Sequence, residues 1–395
     1  MVLAHPLSQH GALPLAPPFA AGLSVWLLIC LAVALRPRPG EGPSRAAGLF
    51  DSWEGDLTNG QRLGRMVAAG LLLLLIVVGR IGSPDELENL APALAVGVAW
   101  PLLLVATAVG GPVWRWLDPW DGVARALPAS VEASPSDEVF PAIAGALALT
   151  WYLSAYPFST SPRSVGTALA LYTIATLAGC LAFGRSAWLS RAEVVGVLLG
   201  WLARLPRRSL AAWRPPRGAA LLLGVLAGGL LFGPLRHSEL WGGLNVGPGA
   251  ALYAVAGLSA CCAVGASMLW LLERWATRLG ATASVAAVAV PAVASIAVAL
   301  AMERNRLSTS LQLLPGLVGD PFGWGWDVFG PATRGLDPAP LGAAALALLQ
   351  LGVLLGGHAA GIASLARVLT LPRRVPSLVT ASITLFVSAI AVLAT

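Results

Sequence analysis

The sequence predicts an all-α fold, a polytopic bundle of transmembrane helices, and two observations carry that prediction. About ten separate apolar runs occupy the chain from residue 18 to its end, each near the roughly 20 residues that a helix needs to cross a bilayer core about 30 Å thick. Only 11% of the residues are charged, against about 25% in soluble domains. Because a backbone in lipid must satisfy its own hydrogen bonds, these runs should be helices.

We expect ten spans in a single integral membrane domain that covers residues 1–395. The residues before His10 lack the basic start and apolar core of a cleavable signal peptide, so the first span should stay in the mature protein. The predicted spans are 18–36, 66–80, 91–110, 139–158, 164–184, 219–235, 250–272, 281–301, 340–366 and 375–394.

One further apolar stretch, 192–205, has about 14 residues and is too short to cross a bilayer. We expect an in-plane or re-entrant helix there. If it does not cross, the arginine-rich loops 37–65 and 185–218 lie on one side of the membrane, which the positive-inside rule makes the cytoplasm. Both chain termini then face outward from a membrane that we expect to be the plasma membrane.

Two cytoplasmic segments, 111–127 and 185–218, should lie at the membrane interface. The first contains Trp114, Trp116 and Trp120, and indole rings favour the headgroup layer, so an amphipathic anchor is the simplest interpretation. The basic residues lie in short loops between apolar runs, which indicates orientation in a lipid bilayer and no binding of nucleic acid.

The predicted outward loop, 302–339, is the first candidate for chemistry. Glycine and aromatic residues surround Asp320 and Asp327, and glycine lets a backbone approach a ligand closely. Function tends to reside in such structured loops. We take both carboxylates as candidate catalytic groups. The alternative is a structural cap over the bundle, with Asp320 as a helix cap or turn residue before Pro321.

The histidines are the second candidate, because imidazole is a common metal ligand and general base. His358 lies inside the ninth predicted span among small residues, where a polar side chain usually faces a neighbouring helix or a wet cavity. His10 and His237 are predicted to face outward with the carboxylates. The alternatives are a hydrogen bond between helices for His358 and solvated loop positions for the other two.

Several of these stretches resemble a known family, the fenitrothion hydrolase-like polytopic membrane proteins of actinobacteria. The similar stretches are His10-Gly11 before a proline-rich entry to the first span, residues 116–120, the loop 320–330, and Gly357-His358. The resemblance implies an integral-membrane hydrolase that cleaves organophosphate triesters, together with a second membrane subunit. The family has a histidine near the end of the eighth span, where this chain reads Ala-Met-Glu-Arg at 301–304.

Hydrolysis of a phosphotriester needs an activated water and a counter-charge, which a divalent transition metal supplies most easily. His358 or an N-terminal histidine, with Asp327 and Asp320, could hold such a metal at the outer face. The alternative comes from another class: a non-catalytic membrane subunit or a small-molecule permease, alone or as a homo-oligomer. The predicted spans contain no Asp or Glu, the residues that a proton relay needs, and this favours the non-catalytic alternative over an ion-coupled pump.

Overall fold

The computed structural model describes residues 57–127, 137–206, 210, 213–238, 241, 249–278, 284–302, 305–326, 328, 336, 337 and 339–366. Every named element in these ranges is a helix, and Glu138 and Arg217 form an isolated bridge. The predicted spans 18–36 and 375–394 lie outside the described residues.

The helices follow one another with short connections. Their bounds are α1 Asn59–Ile81, α2 Pro92–Gly110, α3 Trp114–Leu117, α4 Pro119–Ala124, α5 Phe140–Ala155, α6 Pro162–Phe183, α7 Arg185–Arg191, α8 Val194–Leu202, α9 Ala219–Arg236, α10 Ala250–Arg278, α11 Ala286–Ala301, α12 Arg306–Gly319 and α13 Ala343–Ala366. The first half of α2, Pro92–Ala99, and the last turn of α5, Trp151–Ala155, are wound as π-helix.

Six helices of the described chain are long and apolar enough to cross a membrane: α1, α2, α6, α9, α10 and α13. The predicted count of ten spans is therefore not confirmed. Two predicted spans, 139–158 and 281–301, are helices of only 16 residues, α5 and α11. Helix α5 ends at Ala155 because Tyr156 precedes a proline and takes an extended conformation.

The segment predicted as an outward loop, 302–339, begins with a helix. Helix α12 has 14 residues and is bent by 65° from α11, so that the two together make one broken apolar element. It packs against the π-helical half of α2, where Ser310 fits beside Gly97. The apolar segment after residue 302 therefore extends the bundle before the chain turns at Asp320.

Close helix packing around glycine holds the bundle together. Helices α9 and α10 approach so closely that a Cβ at Gly228 would lie 2.0 Å from the Cys261 carbonyl oxygen. A Cβ at Gly265 would lie 2.2 Å from the Gly224 carbonyl oxygen. Small residues let helix backbones meet in this way, and in lipid such contacts replace the missing hydrophobic drive for association.

Helix α11 forms the centre of the bundle, and Ala286–Ala299 are all buried. In contrast, α1, α6 and α10 expose large apolar side chains such as Met66, Ile174 and Leu252. Continuous exposed apolar faces of this kind match lipid and are rare on soluble monomers. This arrangement supports a multi-pass membrane protein.

The stretch 192–205 is a buried part of the bundle. Of helix α8, only Val195 and Gly200 are partly exposed, and the helix packs against α2, α5 and α11. A helix lying in the membrane plane keeps one face in water or headgroups, so the burial of α8 favours the re-entrant alternative over the in-plane one. Glu193 caps its first turn through Val195 N–H and Gly196 N–H.

The loops gather at two ends of the bundle. At one end, which we call the arginine-rich end, Arg65 bonds to segment 111–127 and Arg217 bonds to the backbone at Asp137. At the opposite end, Ser83 N–H donates to the Phe322 carbonyl and Thr160 donates to Glu86. The grouping of the arginine-rich loops on one side of a membrane stays a prediction.

Candidate functional site

Asp320, predicted as catalytic, closes the turn that follows α12 at the opposite end. Its Oδ1 accepts from Trp324 N–H at 3.0 Å, and its Oδ2 accepts from Gly325 N–H at 2.7 Å and Trp326 N–H at 3.1 Å. The Phe322 and Trp324 rings stack at 4.4 Å over this turn. Three backbone donors use both carboxylate oxygens, and this geometry matches the structural alternative for Asp320.

The other predicted outward residues are not brought together in the described chain. Asp327 and His10 lie outside the described residues, and the exposed His237 follows the last turn of α9. Across the described ranges, no group of three or more His, Cys, Asp or Glu side chains could hold a metal ion. The predicted divalent metal therefore has no assembled ligand set in this part of the chain.

His358 is completely buried, inside α13. Its Nδ1 lies 2.8 Å from the Leu354 carbonyl, so this nitrogen carries the proton and Nε2 presents a lone pair. Nε2 has no hydrogen-bond partner within the described residues. The neighbouring Gly357 packs against Ser295 of α11. His358 lies two turns of α13 beyond Gln350, which bonds to Ala299, and no contact joins it to Asp320 among the described residues.

A cluster of buried charges lies instead at the arginine-rich end, and Asp121 is its centre. The Asp121 carboxylate is completely buried and pairs with Arg65 of α1, Arg125 and Arg185 of α7. The Arg125 Nε lies 2.9 Å from Asp121 Oδ2. Arg65 also donates to the Arg115 carbonyl from Nε and Nη2, at 2.9 and 2.8 Å. One carboxylate thus joins three elements of the bundle.

Asp118 lies one helical turn before Asp121 and has an unusual environment. Its Oδ1 accepts from the backbone N–H groups of Trp120 and Asp121, both at 3.0 Å, and so begins α4. Its Oδ2 has no hydrogen-bond donor among the described residues, although the side chain is completely buried. A buried acceptor without a donor is costly, and a buried charge more so.

Glu193 lies at the start of α8 and is 2% exposed. Its Oε1 accepts from Tyr172 O–H of α6 and from Val195 N–H at 2.8 Å. Its Oε2 accepts from Gly196 N–H at 2.5 Å. Trp114 Nε1 has no hydrogen-bond partner in the described chain and lies near Glu193 Oε2. A Cβ added at Gly196 would be 2.6 Å from Glu193 Oε2 and 3.3 Å from Trp114 Nε1. The carboxylate of Glu193 is therefore surrounded by donors.

Aromatic rings pack around the buried carboxylates of this cluster. The Trp120 ring lies 5.8 Å from Trp114 and 5.1 Å from Tyr172, measured between centroids, and its Nε1 donates to Thr173. Trp114 and Trp120 are 6% and 7% exposed. The prediction of a surface anchor at 111–127 is therefore wrong for these two rings, which pack inside the bundle, while Trp116 is exposed.

Burial changes the acidity of two groups in the cluster. It raises the pKa of Asp118 from 3.8 to about 7, against the opposing charge of Arg65. It likewise raises the pKa of Glu193 from 4.5 to about 7, against the hydrogen bond from Tyr172. Desolvation disfavours the charged form of an acid. Burial therefore favours a bound proton in this cluster.

The sequence analysis missed this cluster because its acidic residues lie outside the long apolar runs. The available signal was Asp118-Pro119, a capping aspartate before a proline at the first helical position. That pair marks a helix start and gives no sign of burial. Arg65, Arg185 and Glu193 are separated from it by many residues, and only the packing of α1, α6 and α7 brings them together.

No protein-family model, no curated protein and no solved structure matches the chain. These comparisons assign no fold family and no activity. The resemblance to fenitrothion hydrolase-like proteins stays a prediction from the motifs, and the charge cluster carries the functional argument.

Proposed function

We propose that the chain is a small-molecule permease of the plasma membrane, with the Asp121 cluster closing its arginine-rich end. The observation that carries this proposal is the pairing of one buried carboxylate of α4 with Arg65 of α1, with Arg125 and with Arg185 of α7. Ionisable groups inside a membrane bundle are expensive, and they usually mark routes of ions or substrates.

Stability alone gives no reason for such a cluster. Replacing a buried ion pair by apolar residues of similar volume is often neutral or stabilising. An ion pair, unlike apolar packing, can separate and form again as water enters, because water solvates each charged side chain. The π-helical turns of α2 and α5 also support movement, since such turns occur frequently at functional sites.

We further propose that the arginine-rich end faces the cytoplasm, as the positive-inside rule requires. Single cysteines at Arg217 and at Trp326 should then react with an impermeant thiol reagent from opposite sides of sealed vesicles. Both positions are exposed and lie at opposite ends of the bundle. Reaction from the same side would contradict this topology.

A native thiol reports on opening of the closed end. Cys180 of α6 is 3% exposed and lies within electrostatic reach of Asp118, Arg185 and Glu193. In a protein whose other cysteines are replaced by serine, an impermeant reagent added at the cytoplasmic side should modify Cys180 much faster than the protein unfolds. The reason is that a permease must admit water to this end once in each cycle.

Cys262 provides a matched control for that experiment. It is also 3% exposed, but it lies between α9 and α10, where its Sγ contacts the Val225 carbonyl. A protein with Cys262 as its single cysteine should react only at the rate of global unfolding. Equal rates for the two single-cysteine proteins would contradict a gate at the arginine-rich end and favour a rigid, non-catalytic subunit.

A hydrolase of organophosphate triesters is the second candidate. The observation that favours it is the unpaired Nε2 of the buried His358, because a lone pair of this kind can bind a metal. A second membrane subunit or a second copy would have to complete the ligand set. The purified chain should then carry transition metal and turn over a phosphotriester, and Asp327→Asn should abolish turnover while the protein stays folded. Metal-free protein without turnover would contradict this candidate.

A further inference from the structure

We propose that the permease couples to protons and that the proton is held on Asp118 Oδ2, opposite an ionised Glu193. This inference deepens the proposed permease and rests on it for the coupling step. The binding of the proton itself requires only the geometry of the two carboxyl groups, so the two parts can be tested separately.

The two carboxyl groups differ in the donors that they receive. Glu193 accepts from Tyr172 O–H, Val195 N–H and Gly196 N–H, so both of its oxygens are bonded. Asp118 accepts two backbone N–H groups on Oδ1 and none on Oδ2 among the described residues. Hydrogen bonds to an ionised group favour the charged form, and their absence in a buried position favours the neutral form. The proton therefore belongs on Asp118 Oδ2.

Trp114 gives independent support for this assignment. Its Nε1–H has no partner in the described chain and lies beside Gly196, on the same side as Glu193 Oε2. An unused buried donor next to Glu193 adds positive potential at that carboxylate and so favours its ionised form.

The other charged groups around the pair fit one bound proton. Asp118 experiences Arg65 of α1, Arg125 and Arg185 of α7, while Tyr172 and Cys180 of α6 are the nearest neutral titratable groups. All three arginines are already paired with Asp121. Helices α2, α8 and α11 contain no titratable side chain, and Arg115 of α3 is a further cation that acts on Arg65. A second carboxylate at Asp118 would have to compete with Asp121 for those arginines.

This competition links the proton to the gate. Asp121 N–H donates to Asp118 Oδ1, so the two residues share the first turn of α4. When Oδ2 loses its proton to water, Asp118 gains a full negative charge and attracts Arg65 away from Asp121. The three arginines then divide between two carboxylates, and the connection of α1, α4 and α7 through one residue is weakened.

Infrared spectroscopy tests the proton site directly. The C=O stretching band of a protonated carboxyl group should be present in the purified, full-length protein and should titrate across neutral pH. Asp118→Asn, which keeps the cap on α4, should remove the band. Asp85→Asn, in an exposed loop at the opposite end, should leave it unchanged. A wild-type protein without a titrating band, or a band that survives Asp118→Asn, would overturn the assignment.

A milder variant keeps the test valid if Asp118→Asn does not fold. Tyr172→Phe removes one donor from Glu193 with little change of volume. Glu193 should then hold a proton more readily, so the midpoint of the titration should move to higher pH. An unchanged midpoint would overturn the model of two coupled acids.

The coupling step is measured with the Cys180 reporter. Raising the pH through neutrality should accelerate modification of Cys180 more in the wild-type background than in the Asp118→Asn background, because only the former gains a buried charge. If the infrared band behaves as expected and Cys180 does not react in the folded protein, the proton site on Asp118 is supported and the proposed permease is contradicted. If Cys180 reacts equally in both backgrounds at every pH, the gate stands and proton coupling is overturned.

Discussion

The two ends of the bundle use the same chemistry for different purposes. At the opposite end, Asp320 accepts three backbone N–H groups and is partly exposed. At the arginine-rich end, Asp118 accepts two backbone N–H groups, but it is completely buried and one oxygen has no donor in the described chain. A capped turn is enough to explain Asp320. The comparison shows that burial and unsatisfied oxygens, more than residue type, distinguish a structural carboxylate from a candidate site.

The largest effect should follow from removing the centre of the buried cluster. Asp121→Ala leaves Arg65 buried without its carboxylate and places three arginines against one another. We expect a loss of about 3–5 kcal/mol in the free energy of unfolding, the range for breaking a buried ion pair. Denaturant unfolding in detergent micelles measures it.

Glu138→Ala is the matched control for Asp121→Ala. Glu138 pairs with Arg217 at 3.7 Å at the same end of the bundle, but both side chains are exposed. Because exposed pairs contribute at most about 1 kcal/mol, we expect a small change or none. Similar losses for the two variants would remove the distinction between buried and exposed charge on which the proposed gate depends.

The second prediction concerns pH. The folded-state pKa of Asp118 is raised from 3.8 to about 7. With its proton on Asp118, the folded protein binds more protons than the unfolded chain in this window, and its stability should fall as pH rises through it. The contribution is fully present below pH 3.8 and lost above about pH 7.

Asp118→Asn should flatten this dependence, because the amide cannot titrate. Unfolding by denaturant at a series of pH values compares the slopes of the wild type and the variant. Asp320→Asn should keep the wild-type slope. If stability rose with pH over the same window, Asp118 and Glu193 would be ionised in the folded state, and the contrast between the two ends would disappear.

Much of the fold could be predicted from apolar length alone. The predicted spans 91–110, 164–184 and 219–235 agree with α2, α6 and α9 to within about two residues, because each is bounded by proline, glycine or a charged residue. The start of α1 was predicted seven residues too late, since the capping pair of Thr58 and Gln61 extends the helix through polar residues.

The site was harder to predict than the helices. Hydropathy placed 111–127 and 192–205 at the membrane surface, because both are short and flanked by arginine. The structure places Trp114, Trp120 and most of α8 inside the bundle. Which short segment is enclosed depends on contacts among α1, α6 and α7 that are distant in sequence. The candidate Asp320 was found by its aromatic loop, and the alternative of a structural cap describes its contacts.

The third prediction tests Asp320 as a structural carboxylate. Asp320→Ala should lose about 1 kcal/mol of stability, the usual cost of removing a capping side chain, because Trp324, Gly325 and Trp326 lose their acceptor. Tryptophan fluorescence should report the loosened turn. Asp320→Asn should keep part of the effect. If Asp320→Asn instead abolished phosphotriester turnover in a stable protein, Asp320 would be catalytic and the opposite end would hold the active site.

The smallest effect should come from an exposed contact at the opposite end. Thr160 donates from its hydroxyl to Glu86 at 2.8 Å and so joins two loops, but both side chains are accessible to water. Thr160→Ala should change the free energy of unfolding by less than about 0.5 kcal/mol, as is usual for surface substitutions.

Tyr172→Phe breaks the same kind of bond, a hydroxyl to a carboxylate, inside the buried cluster. It should cost about 1.5–3 kcal/mol, since bonds to charged groups are stronger and no water replaces the lost donor. Both values come from the same denaturant titrations. Equal costs would mean that water reaches Glu193 as freely as Glu86, and in that case a proton would need no gate to reach Asp118.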